Sequence, residues 1–149
     1  MNFERLYFLR EDKDLTQEQL GKALNVSRVA ISQWESNKEI IPLTKLNMSS
    51  NYFNVSLDYI VGLSDEKQTN NLNIKLDKKL IGTRLQEFRN KFNITQEQLA
   101  NELNTSHSTI SAYESGKTLI LTGFAYTIAK KYNISLDWLC GKIKGVVMK

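Results

Sequence analysis

Two nine-residue stretches gather hydrogen-bonding side chains at matched positions: SRVAISQWE at 27–35 and SHSTISAYE at 106–114. They share the leading Ser, the Ile-Ser pair and the closing Glu, and differ at Arg28 against His107 and Gln33 against Ala112. Guanidinium, carboxamide and hydroxyl groups can recognise a polar partner through hydrogen bonds. Catalysis is a poorer fit. The chain shows no Gly-rich phosphate loop and no Cys-His pair at a recognisable spacing, and carboxylates such as Glu18 and Glu97 suit helix-surface or capping roles, so no enzyme is expected. A single cysteine, Cys140, and a single histidine, His107, give neither a disulfide nor a zinc-ligand set, so no metal or other cofactor is expected.

With 149 residues, 41% hydrophobic and 24% charged, the chain suits one ordinary globular domain or two small ones. No run of about 18 apolar residues could span a bilayer, and the start, MNFERLYFLRED, is charged where a signal peptide is apolar. No membrane association is expected, and the location expected is cytoplasmic. The net charge of +4 is unevenly spread: residues 1–66 carry seven Lys or Arg against ten Asp or Glu, residues 67–149 thirteen against six. The second half, at +7, suits an acidic partner such as nucleic acid; the first, at −3, does not by charge alone.

The cassettes belong to a longer repeat. Shifted by 79 residues, positions 3–62 align without a gap on 82–141, and 22 of the 60 pairs are identical. TQEQL at 16–20 recurs at 95–99, and SLDYIVG at 56–62 corresponds to SLDWLCG at 135–141. A polar segment separates the copies, predicting a first domain over 1–63, a linker over 64–79, a second domain over 80–141 and a basic tail over 142–149.

Each copy reads as helices. Leu6, Leu9 and Arg10 share one helical face, as do Ile81, Leu85, Phe88 and Phe92. Thr16 with Gln19, and Thr95 with Gln98, form capping boxes that open helices running to Leu24 and Leu103. Asn25 and Asn104 follow, suited to the left-handed conformation that ends a helix. Ser27 and Ser106 cap the next helix two residues later, so a small residue must stand where the paired helices touch; Gly21 and Ala100 fit. Ser56 and Ser135 cap one more short helix ending at Gly62 and Gly141. Between these lies a fourth helix that differs between copies: Ala125, Ile128, Ala129 and Tyr132 make an apolar stripe, whereas the aligned Leu46, Ser49, Ser50 and Phe53 are more polar, leaving Met48 and Tyr52 as a candidate second face. Cys140, Trp34, Tyr113, Tyr59 and Trp138 read as packing residues.

This order of caps, small residue, Asn turn and Ser-capped helix resembles the Cro/CI-type, or XRE-type, lambda-repressor-like helix-turn-helix family, twice over. The resemblance implies an all-α fold of two five-helix domains, each placing its third helix in the major groove of double-stranded DNA. It implies a salt bridge from Arg10 to Glu35 and from Arg89 to Glu114, pairs separated by 25 residues in both copies. Matched to the family motif, Ile31 and Trp34 face inward with Ile110 and Tyr113, while Ser27, Arg28, Val29, Ser32 and Gln33 face the bases. Arg28 can then bond guanine O6 and N7, Gln33 adenine N6 and N7, and Val29 a thymine methyl. In the second copy the readers become His107, Ser108 and Thr109, with Ala112, and fewer bases should be read. Gln17, Asn37 and Lys38, with Gln96 and Lys117, are matched to phosphate contacts.

The function expected is a sequence-specific DNA-binding transcriptional regulator, by analogy a repressor, with an antitoxin-like or protein-interaction module as the alternative. The 17 residues of 63–79 reach at most about 60 Å when extended, against about 34–36 Å between half-sites one turn apart, so one chain could occupy one operator. A homodimer joined through the second domain is the alternative arrangement.

Overall fold

The computed structural model describes residues 1–67 and 74–145. It divides into two compact units between Ile74 and Lys75, and every regular element among the described residues is an α-helix. The first unit contains α1 (Glu4–Asp12), α2 (Gln17–Leu24), α3 (Arg28–Glu35), α4 (Leu43–Phe53) and α5 (Leu57–Ile60). The second contains α6 (Lys78–Lys91), α7 (Gln96–Glu102), α8 (His107–Glu114), α9 (Thr122–Tyr132) and α10 (Leu136–Leu139).

The caps act as their residue types predict. Thr16 accepts from the Gln19 amide while Gln19 returns a bond to the Thr16 N–H, and Thr95 and Gln98 repeat the arrangement. Asn25 and Asn104 both take the left-handed conformation, at φ 57° and φ 52°. This reverses the chain within a few residues, so α2 meets α3 closely. A Cβ on Gly21 would lie 2.7 Å from the Val26 carbonyl oxygen. Around this turn Leu6, Leu20, Leu24, Ile31, Leu46 and Leu57 are buried in the first core, and Leu85, Phe88, Leu99, Ile110, Ile128 and Trp138 in the second.

Helix α4 is buried along its polar stripe. Ser49 and Ser50 have no exposed surface, because their hydroxyls donate back to the Lys45 and Val55 carbonyls at 2.9 and 2.6 Å. Local bonds of this kind let serine replace alanine in a core at little cost. Met48 is only half-buried and Tyr52 is exposed, so the second apolar face expected there does not form.

Both ends of the polar segment between the repeats are tied down. The Lys67 carbonyl accepts from the Ser56 N–H at 3.0 Å, Arg5 pairs with Asp65 at 2.6 Å, and the Asn47 side-chain amide donates to the Ile74 carbonyl at 2.9 Å. Asp77 caps α6 through the Lys79 and Leu80 amides. These contacts withdraw residues from the 17 assumed free in the 60 Å reach; residues 68–73 lie outside the described ones. The expected basic tail likewise begins in contact with the second unit: Lys142 is buried and Arg84 donates to the Ile143 carbonyl at 2.6 Å. Residues 146–149 lie outside the description.

Candidate nucleic-acid interface

Two features hold α3 in orientation. At its start the Ser27 hydroxyl accepts from the Ala30 amide at 3.1 Å. Along its length Ile31 and Trp34 are 0% and 5% exposed. Turning the helix to expose Ile31 would forfeit about 1.5–3 kcal/mol, so the roll is set by burial. Arg28 and Val29 are therefore left exposed, Ser27 with them, and Ser32 and Gln33 half-exposed along the same outer surface.

At the end of α3, Glu35 joins the helices together. Arg10 reaches its carboxylate through Nε at 2.7 Å and Nη2 at 3.0 Å, and donates from Nη1 to the Leu15 carbonyl at 2.7 Å. The bond to Glu35 is the main reason the Arg10 guanidinium holds its proton even more firmly than usual, against desolvation. Gln17 completes the group, its Nε2 donating to Glu35 Oε1 at 3.1 Å. The second unit repeats it: Arg89 on Glu114 at 2.7 and 3.0 Å, Arg89 on the Ile94 carbonyl at 3.0 Å, and Gln96 on Glu114 at 2.9 Å. The sequence pairs Arg with Glu but does not disclose that Gln17 and Gln96 share the same carboxylates.

The two outer surfaces differ chemically. In α8 the Ser108 and Thr109 hydroxyls lie 2.9 and 2.8 Å from the Ser106 oxygen, so the cap engages both of these short side chains. His107 is exposed beside an open recess of about 590 Å³, whose other walls include Asn90, Asn93, Thr95 and Gln96. Lys38 and Lys117 are exposed beyond the ends of α3 and α8. Asn37 has a local role: at φ 62° it turns the chain, and its Oδ1 accepts the Phe3 N–H at 2.9 Å. Its counterpart Gly116, at φ 78°, sits against Lys79, because α6 starts earlier than α1 relative to the repeat and its first turns pass over this position.

A second arginine clamps helix one in each unit, a role its spacing in the sequence does not reveal. Arg5 donates to the Tyr59 carbonyl at 2.9 Å and to that of Ser64; Arg84 donates to the Trp138 and Ile143 carbonyls. The identity of Arg5 and Arg84 across the repeat was the available signal.

The helix-turn-helix family model matches residues 6–60 and again 85–139. Over 58 residues, 39% of this chain and 28% of the relative, the protein is 47% identical to the HTH-type transcriptional activator BcrR of Enterococcus faecalis. It is 35% identical over 66 residues, 44% of this chain and 59% of the relative, to the uncharacterized HTH-type transcriptional regulator YobD of Bacillus subtilis. An uncharacterized HTH-type transcriptional regulator of Archaeoglobus fulgidus is 42% identical over 55 residues, 37% of this chain and 78% of the relative. The chain thus spans less than two thirds of the length of the first two relatives. No solved structure gives a significant match. Matched over most of its length, in two copies at the same repeat spacing, the chain belongs to the helix-turn-helix family.

Proposed function

We propose that the protein is a sequence-specific regulator of transcription that binds double-stranded DNA in the cytoplasm with α3 in the major groove. The observation that carries this reading is the outward stripe of Arg28, Val29 and Gln33 on a helix whose roll and ends are both held. Arg28 is suited to guanine, Gln33 to adenine and Val29 to a thymine methyl, three different kinds of readout on adjacent turns. Ser27 and Ser32 flank them, and His107, Ser108 and Thr109 form the smaller set on α8.

Phosphate contacts are assigned to Gln17, Lys38, Gln96 and Lys117, with Asn37 contributing from its turn; such bonds fix register without reading sequence. Gln17 and Gln96 are well suited because each amide is already anchored by one bond to a buried carboxylate, leaving its second N–H to donate. Repression is the mode assigned, since occupying a promoter needs no contact beyond those to DNA. Both units bind within one operator, the tether raising the local concentration of the second once the first is bound.

The test is selection of bound duplexes from a random pool, followed by titration at several salt concentrations. A recovered consensus and a steep fall of affinity with salt are expected. Absent or salt-independent binding would instead support the protein-interaction reading, which the −3 charge of residues 1–66 favours. Sedimentation distinguishes the single chain on its operator from a homodimer.

A further inference from the structure

We propose that the two units divide the work on DNA: the second holds the sugar-phosphate backbone with little regard to sequence, and the first supplies the base reading. The inference rests on the DNA-binding function proposed above and concerns how it is shared. Its starting point is the surface beside each recognition helix. In the second unit the open recess joins the start of α8, at His107, to the end of α6 and the turn into α7, at Asn90, Asn93, Thr95 and Gln96. A duplex lying against α8 would run its backbone along this edge.

The charge there differs sharply between the repeats. Residues 11–18 carry exposed Glu11, Asp12, Asp14 and Glu18 against Lys13, a net −3; the aligned residues 90–97 carry Lys91 against Glu97, a net zero. Position by position, Glu11 becomes Asn90, Asp12 becomes Lys91 and Asp14 becomes Asn93. Two carboxylates become hydrogen-bond donors and a third becomes a cation, where a polyanion would pass. The total charge of residues 67–149, +7, leans the same way.

Base reading runs the other way. The exposed Arg28 and half-exposed Gln33 of α3 are long enough for paired bonds to base edges, whereas α8 offers His107, Ala112 and two hydroxyls already engaged with Ser106. The unit with the better readers has the more repulsive flank, and the unit with the poorer readers has the more accommodating one. A protein so divided would find duplex through its second unit and choose sequence through its first.

Exchanging the flanks in the full chain tests this. Asn90→Glu, Lys91→Asp and Asn93→Asp together give the second unit the first unit's carboxylates, taking residues 90–97 from a net charge of zero to −4. Each new residue is one the first unit already accommodates at the matching backbone position, the left-handed site included, since Asp14 and Asn93 have φ 53° and 55°. Affinity for a random-sequence duplex should fall roughly tenfold or more, the salt slope should flatten by about 1–2, and the selected duplex should lose affinity by a similar factor. The converse change, Glu11→Asn with Asp12→Lys and Asp14→Asn, should strengthen random-duplex binding. Circular dichroism establishes that the variants remain helical; if the triple change unfolds the second unit, Lys91→Asp alone serves, with the same uniform loss expected in smaller measure. Unchanged random-duplex binding by the variant that folds, or a loss confined to one sequence, would overturn the division of work. If the unaltered protein binds no duplex even at low salt, the DNA-binding function itself falls; if it binds with a consensus but the exchange has no effect, only the present inference does.

Discussion

Replacing Arg10 by Met should strongly destabilise the first unit while sparing the second. The side chains of Arg10 and Glu35 are 8% and 6% exposed, so removing the guanidinium leaves a carboxylate in a site that excludes most water. Gln17 would be its one remaining side-chain donor among the contacts described above, and the Leu15 carbonyl would lose its bond as well. Breaking a buried pair from one side costs about 3–5 kcal/mol. A unit of this size has a total stability of roughly 4–11 kcal/mol, so the loss removes about a quarter of it or more. The protein provides its own reporters: Trp34 is buried in the first unit and Trp138 in the second, one tryptophan each. With Trp138→Phe as background, urea unfolding followed by Trp34 fluorescence should show the Arg10→Met midpoint lowered by at least about 1 M. In the complementary Trp34→Phe background, Trp138 should report an unchanged second unit. Removing both charges, with Arg10→Met and Glu35→Leu, should restore most of the loss, because no ion is then stranded. A single-variant cost below about 1 kcal/mol, or a double variant no more stable than the single, would refute the assignment of a stranded charge as the cause.

Other substitutions test other parts of the structure. Arg28→Ala should lose about 1–3 kcal/mol at the selected duplex and relax preference at one base position, read by competition against single-base variants of that site. Gly82→Ala should destabilise the second unit by about 1–3 kcal/mol, since overpacking displaces its neighbours; a Cβ there would stand 2.5 Å from the Tyr113 and Glu114 carbonyl oxygens, and the Trp138-reported midpoint measures the effect. Burial pulls the Lys142 ammonium down to about 8 from an ordinary 10.5, with Asp137 opposing. The unfolded chain therefore binds the extra proton between those values, and the second unit should become more stable as pH rises through that window, by about 1–3 kcal/mol. Lys142→Met should abolish the rise when unfolding is compared at pH 7.5 and near the top of the window.

Much of the local structure could be read from residue types because it is made by neighbours. Thr16 and Gln19 cap α2 through bonds spanning three residues, and Asn25 takes the left-handed conformation that asparagine tolerates well, so the pattern TQEQL followed by Asn and Ser carries much of its geometry with it. Helix α4 was harder. Periodicity counts serine as polar, whereas Ser50 is buried because a carbonyl five residues away, on Val55, accepts its hydroxyl at 2.6 Å. Gly82 was illegible for a different reason: its need for a missing Cβ comes from the end of α8, some 30 residues further along, and the aligned residue in the first repeat is Phe3.

That one unit is written twice, that its helices are capped where they are, and which side chains differ between the two recognition helices could be read from the residues alone, because these follow from identity, spacing and short-range bonding. It took the packing of the helices to show that Gln17 and Gln96 share the carboxylates of Glu35 and Glu114, and that a recess joins His107 to the α6–α7 turn. Those facts depend on where separate helices bring their side chains together, and packing, not sequence spacing, sets that distance.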